Sequence, residues 1–458
     1  MSAIVIENAW VATVDDAGTE HHKGHAIIED GLITAVDTGP APALEGAQRD
    51  GARYVDGTGC LLTPGLVNTH HHLYQWATRG YATDYTLFEW LVDLYPVWAR
   101  VRPEHVAASN AAGLAWLALS GCTTAADHHY VYPAGHAADL VDVQVEAAAR
   151  IGLRLHLARG SMDRGVSDGG LPPDDIVEDI EAALLATADA IDRHHDPAPN
   201  AMLRVAVAPC SPFSVSTDLL RESAALARDK SVRLHTHLCE TLDEAEFCER
   251  VHGCDPVEYM DKVGWIASDV WLAHAVHLSR DAQRRLGAAG TGVAHCPSSN
   301  ARLGTGLADV PAMLDAGIAV GVGVDGAASQ EAGHLGEELR QTLYTARQVK
   351  GPHAMDARTA LRLGTIGGAR VLGREREIGS LEVGKQADLA LWDLTGLGHA
   401  GIADPVAALV LGPAASLRLL TVAGNPVVEG GELRTADTAT LARDLATASA
   451  NLREAADA

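Results

Sequence analysis

The chain has 458 residues, 47% hydrophobic and 21% charged, which supplies a sizeable core and excludes wholesale disorder. Its formal charge of −25 repels phosphate backbones and anionic head groups, so neither nucleic acid nor a membrane surface is expected as a partner. It has no transmembrane-length apolar run and no basic leader pattern, and none of its 7 cysteines falls in a C-x-x-C, so reduced thiols in a cytoplasmic protein are expected.

The first stretch reads as strands. Residues 4–14 are rich in β-branched side chains, and Ala26-Ile27-Ile28 leads through Glu29-Asp30-Gly31 into 32–36, a hairpin pattern. From there short apolar runs alternate with alanine-rich amphipathic segments. The runs lie at 61–67, 123–126, 154–158, 203–207, 232–234, 270–273, 292–294 and 318–324. The main helical segments are 104–119, 139–151, 176–193, 216–229 and 335–347. Eight strands alternating with helices predict a parallel (β/α)8 barrel of the TIM type, an α/β fold. Strand texture returns at 385–392, 417–423 and 426–428, and the last stretch predicts a surface helix. The expected organisation is a β-sandwich domain built from both chain ends (1–61 and 373–436), a metal-dependent barrel (62–372) and a C-terminal helix (437–458).

The chemistry gathers at the ends of the barrel strands. In Asn68-Thr69-His70-His71-His72, alternate residues share a face, so His70 and His72 point together and His71 points away. Leu234-His235-Thr236-His237-Leu238-Cys239-Glu240 pairs His235 with His237 and places Glu240 in the following loop. Ala273-His274 and Val324-Asp325-Gly326 end two further strands. Taken singly, these features also fit core histidines or an ordinary Asp-Gly turn. Together they place imidazoles and a carboxylate on strands 1, 5, 6 and 8 of one barrel rim, where such folds gather their active sites. That donor set suits zinc or a similar divalent ion with one position left for water.

These motifs resemble the amidohydrolase superfamily, in its deaminase and triazine-hydrolase branch, over nearly the whole chain. The resemblance implies that His70, His72, His237 and Asp325 bind one divalent metal, zinc first and iron as the alternative. It implies catalytic roles for Glu240, His274 and Asp325. Residues 87–91, 94–98, 127–130, 210–215, 240–244 and 295–300 are similar to bacterial 8-oxoguanine deaminases, and triazine hydrolases share part of this set. Gln330 stands where that group usually has Asn, and Cys239 where it usually has Ala.

The implied reaction is deamination of an amino-purine, 8-oxoguanine to urate and ammonia. Hydroxide formed at the metal attacks C2, Asp325 takes the hydroxide proton, Glu240 protonates the adjacent ring nitrogen, and His274 stabilises the tetrahedral centre. The alternatives are s-triazine hydrolysis and deamination of guanine, isoguanine, isocytosine or a pterin. Relatives are often homo-oligomers, so one is expected here.

Candidate contacts to the small heterocyclic substrate are Gln75, Trp76, His128, Phe213 and Asn300. An amide such as Gln75 suits a lactam edge, and it equally fits a solvated loop. The aromatic residues fit stacking on a flat ring or rim packing alike.

Overall fold

A computed structural model describes residues 3–44, 51–133 and 136–457. Eight parallel strands close a barrel: Leu66–Asn68, Cys122–His129, Arg154–Ser161, Leu203–Pro209, Leu234–Leu238, Val270–His274, Gly292–His295 and Val320–Val322. Each expected apolar run supplies one of them. The runs are continuous rather than alternating because a parallel barrel strand is covered on both faces. Helices Pro103–Leu119, Ala137–Ile151, Ile180–His194, Thr217–Asp229 and Leu335–Lys350 lie among the connections.

The first run divides between two sheets. Cys60–Pro64 pairs antiparallel with Leu389–Asp393, whereas Leu66–Asn68 pairs with the second barrel strand. Gly65 is the pivot, and a Cβ there would lie 2.2 Å from the Thr123 side chain. The first barrel strand is also shorter than the sequence predicts. Its ladder stops after Asn68, whose side-chain Oδ1 accepts the Val324 N–H at 3.0 Å. Pairing resumes at His71–His72 against Asp325–Gly326, so the two chemistry-bearing segments are tied side by side.

The chain ends form one hydrogen-bonded nine-stranded sheet beside the barrel. Ile6, Val11, Leu62, Leu389 and Leu391 are in its own apolar core. The expected N-terminal hairpin pairs Glu20–Glu29 with Leu32–Thr38. Its turn residues Asp30 and Gly31 have φ of 49° and 84°, the left-handed pair that suits a tight hairpin. Arg154 on the third barrel strand grips Asp388 of the flanking sheet with two hydrogen bonds of 2.6 and 3.0 Å, both side chains being buried. The C-terminal helix Thr438–Asp457 packs against Pro103–Leu119. The seven cysteines are buried and unpaired, and among the described residues no helix is long and apolar enough to cross a membrane.

Candidate active site

Side chains from the first, fifth and eighth strand ends converge on one point. The His70 ring lies 4.6 Å from His72 and 4.9 Å from His237, centre to centre. Asp325 Oδ1 is 3.3 Å from His70 Nε2 and 3.2 Å from His72 Nε2, and His72 Nε2 is 3.2 Å from His237 Nε2.

The hydrogen bonds behind these rings fix where their protons are. His72 Nδ1 faces the His128 carbonyl at 2.6 Å, and His237 Nδ1 faces the Cys210 carbonyl at 2.7 Å. A carbonyl only accepts, so both Nδ1 atoms carry hydrogen and both Nε2 atoms of the neutral rings present lone pairs. His70 is fixed through an intermediary. His235 Nδ1 donates to the Trp271 carbonyl at 2.9 Å, which leaves His235 Nε2 to accept from His70 Nδ1 at 2.8 Å. His70 Nε2, buried and without a hydrogen-bond partner, is then a third lone pair aimed at the same point. Burial pushes His70 and His237 well below the usual imidazole range, which keeps them neutral. Three imidazole lone pairs and a carboxylate oxygen within contact of one another repel unless a cation lies among them. The residues present therefore fit a divalent metal, as nitrogen and oxygen donors of this kind do.

Beside this cluster, His274 Nε2 is 3.6 Å from Glu240 Oε2 and 3.9 Å from Asp325 Oδ2, and its Nδ1 bonds Asn300 Oδ1 at 3.0 Å. Burial, together with the negative charge of Asp325, raises the Glu240 carboxyl well above its usual range, which favours its protonated form. Glu240 Oε1 is buried and has no partner. Cys239, His274 and Asp325 adopt φ of 55°, 69° and 62°, left-handed conformations that cost on the order of 1 kcal/mol each. Their surroundings hold them there. Glu244 accepts the Cys239 N–H at 2.7 Å, while Asp325 Oδ2 accepts from Ser299 at 2.5 Å and Ser329 at 3.1 Å.

A narrow cavity opens on this cluster, closed by Leu87, Trp90, Leu91, Tyr95, Tyr130 and Phe213, with Gln75 on one wall. The Gln75 amide lies over Gly326, where a Cβ would be 1.8 Å from its Oε1, and that oxygen is buried without a partner. Gln75 and Phe213 thus line the cavity, and the other three candidate contacts do not. Trp76 turns outward and donates from Nε1 to His71 Nε2 at 3.2 Å. His128 lies beneath the cluster, donating from Nε2 to the Ala208 carbonyl at 2.7 Å and stacking on His237. Asn300 Oδ1 bonds His274, while its Nδ2 is buried without a partner.

His71, which the strand pattern turns away from the site, is also functional in position: its Nδ1 donates to the Asp325 carbonyl. The His-x-His spacing marked His71 and His235 as present, but their partners come from distant strands. Ser299 and Ser329 carried no spacing signal toward Asp325, being 26 and 4 residues away.

The chain belongs to the amidohydrolase family, whose model matches residues 61–428. It is a hydrolase of C–N bonds, a metal-dependent amidohydrolase of the deaminase kind, acting on a small molecule. It is 45% identical to the 8-oxoguanine deaminase of Pseudomonas aeruginosa, over 95% of this chain and 94% of that protein. It is 36% identical to the hydroxydechloroatrazine ethylaminohydrolase of a Pseudomonas species, over 94% and 92%. Among solved structures, the atrazine chlorohydrolase of Arthrobacter aurescens complexed with zinc superposes with a TM-score of 0.90 at 33% identity, covering 97% of this chain and all of that one.

Proposed function

We propose that the protein deaminates 8-oxoguanine to urate and ammonia, with zinc held by His70, His72, His237 and Asp325. The observation that carries this reading is the buried Glu240 carboxyl, with Oε1 unpartnered, and the unpartnered Gln75 Oε1 facing the convergent lone pairs inside a cavity with flat aromatic walls. The 45% identity to the Pseudomonas enzyme supports the choice of purine. When bound, the metal supplies a water acidic enough to attack at neutral pH.

The chain's own residues do the rest. Trp90 and Phe213 flank the ring, Gln75 reads its lactam edge, and Leu87 and Leu91 exclude bulk water. Asp325 takes a proton from the attacking water through its carboxylate. Glu240 gives its proton to the ring nitrogen next to C2, and the His274 Nε2 lone pair accepts from the hydroxyl added there, orienting it. Asp325 then passes the proton it took to the amino group, the C2–N bond breaks with loss of ammonia, and the added hydroxyl gives its proton back to Glu240 as C2 becomes a carbonyl.

The test is kcat/KM for 8-oxoguanine against guanine, a pterin and a chlorotriazine. The largest value is expected for 8-oxoguanine, and chloride release or pterin turnover at a higher value overturns the assignment. Glu240→Gln is expected to keep its metal and lose about 10²–10⁴-fold in kcat, the range for a general acid–base group. Turnover within a few-fold of normal would remove Glu240 from this role. Because the proton must be on Glu240, kcat/KM is expected to fall as pH rises through its elevated pKa.

A further inference from the structure

A second cavity, of about 220 Å³, opens at the end of the barrel away from the catalytic residues. It lies among the early residues of the third and fourth strands, the segment leading into the fifth, and the Leu372-Gly373 turn. Its polar side chains are His156, His195, Arg204, Ser231 and Arg233. Among the described residues no carboxylate lines it, in a chain with 60 acidic and 35 basic residues.

The lining groups are donors without enough acceptors. The Val205 N–H donates to His195 Nδ1 at 3.1 Å, so the neutral ring carries its own hydrogen on Nε2. His156 is 2% exposed, and its Nε2 is buried with no partner. The Nε atoms of Arg204 and Arg233 are likewise buried and unpartnered. Arg233 donates to the Val371 carbonyl at 3.0 Å and, among the described residues, forms no ion pair. Arg204 bonds Glu377 at 2.7 Å, but that carboxylate is shared with Arg374, whose Nη1 is also unpartnered. Two guanidinium groups, Arg204 and Arg374, therefore share one carboxylate, and Arg233 beside them feels Asp269 and Glu375 only at a distance, without bonding either. Burial and the neighbouring Arg204 pull Arg374 down to about 10, a sign of the same imbalance. Positive charge gathered this way is costly unless an anion answers it. The planar fork of arginine suits an oxyanion in particular.

We propose that this cavity is an oxyanion site that takes a phosphate group, free or carried by a small metabolite. Its volume is many times the ~10–15 Å³ that admits one water, so a phosphate group fits with room for a small organic part.

The experiment is calorimetric titration of the metal-loaded enzyme with inorganic phosphate and, separately, with ribose 5-phosphate, against chloride at matched ionic strength. Saturable binding of one equivalent is expected. Arg233→Gln and Arg204→Gln are each expected to raise the dissociation constant at least tenfold, and Arg233→Lys to raise it less than Arg233→Gln. Tighter binding of the ester points to a phosphorylated metabolite as the source, and tighter binding of the inorganic ion to free phosphate. Thermal unfolding in chloride alone checks that each variant is folded, and either arginine position suffices for the comparison. The proposal is overturned if no saturable heat appears, or if folded variants bind as the wild type does. It is also overturned if Asp325→Ala abolishes binding that the arginine variants leave intact, since the phosphate would then occupy the catalytic cluster.

Discussion

His70 owes the direction of its lone pair to a residue that never reaches the cluster. His235 passes the Trp271 carbonyl's demand for a proton through its own ring to His70 Nδ1. His235→Phe keeps a ring to stack on Trp271, which lies 4.3 Å away, but removes the acceptor. Metal affinity is expected to fall about 10–100-fold, as for other groups that orient a ligand, with kcat at saturating metal reduced less. Competition with a chelator measures it, and an unchanged affinity would contradict the relay. At this scale the sequence was readable where the donors lie two apart in the chain, as with His70 and His72, although His70 falls in the gap between two short strand segments. It was silent where the partner is a backbone carbonyl of another strand, as Cys210 is for His237. Trp76 was ambiguous because an aromatic side chain next to a ligand segment fits a cavity wall and a buried support equally well. In the structure its indole N–H bonds His71.

Between elements, small groups set the joints. Gly65 lets one apolar run serve both sheets, and Gly65→Ala drives a methyl into Thr123. Overpacking of this kind is expected to destabilise by about 1–3 kcal/mol. Chemical denaturation checks this, with Thr123→Ala in the same chain recovering part of the loss. A neutral Gly65→Ala would contradict the joint.

On the helix Leu335–Lys350, Glu338 accepts the Ser298 N–H at 3.2 Å and the Gln330 amide at 2.7 Å. Gln330, in place of the usual Asn, thus has a partner that its length can reach. Burial raises Glu338 to about 7. Folded Glu338 keeps its proton between about 4.3 and 7 while the unfolded chain has lost it. Its contribution to stability is therefore full below that window and is lost as pH rises through it, on the order of 3 kcal/mol in all. Glu338→Gln cannot ionise, so its stability relative to wild type is expected to improve from pH 5 to pH 8. A constant difference across that range would contradict the raised carboxyl.

Across the whole molecule, the barrel and the flanking sheet are locked together by Arg154 and Asp388, both buried and bonded through two nitrogens. Asp388→Ala leaves a guanidinium buried without its partner and is expected to cost about 3–5 kcal/mol in unfolding experiments. A loss under 1 kcal/mol would contradict that account. The barrel was legible because eight short apolar runs alternate with amphipathic helices, a rhythm that few other folds produce. The division of the run at 61–67 was not, since Leu61, Leu62, Leu66 and Val67 are equally buried in either sheet. The pairing of strands from both chain ends into one domain was legible, but its register was not, because it depends on contacts more than 300 residues apart, such as Leu61 with Trp392.

The central claim is that a divalent metal in the His70, His72, His237 and Asp325 cluster drives deamination of 8-oxoguanine. The most direct measurement is ammonia release from that substrate by one preparation as isolated, after metal stripping, and after zinc is restored. Loss on stripping and recovery at about one zinc per chain is the predicted result. Turnover by the stripped protein, or no ammonia from the zinc-loaded one, would contradict it.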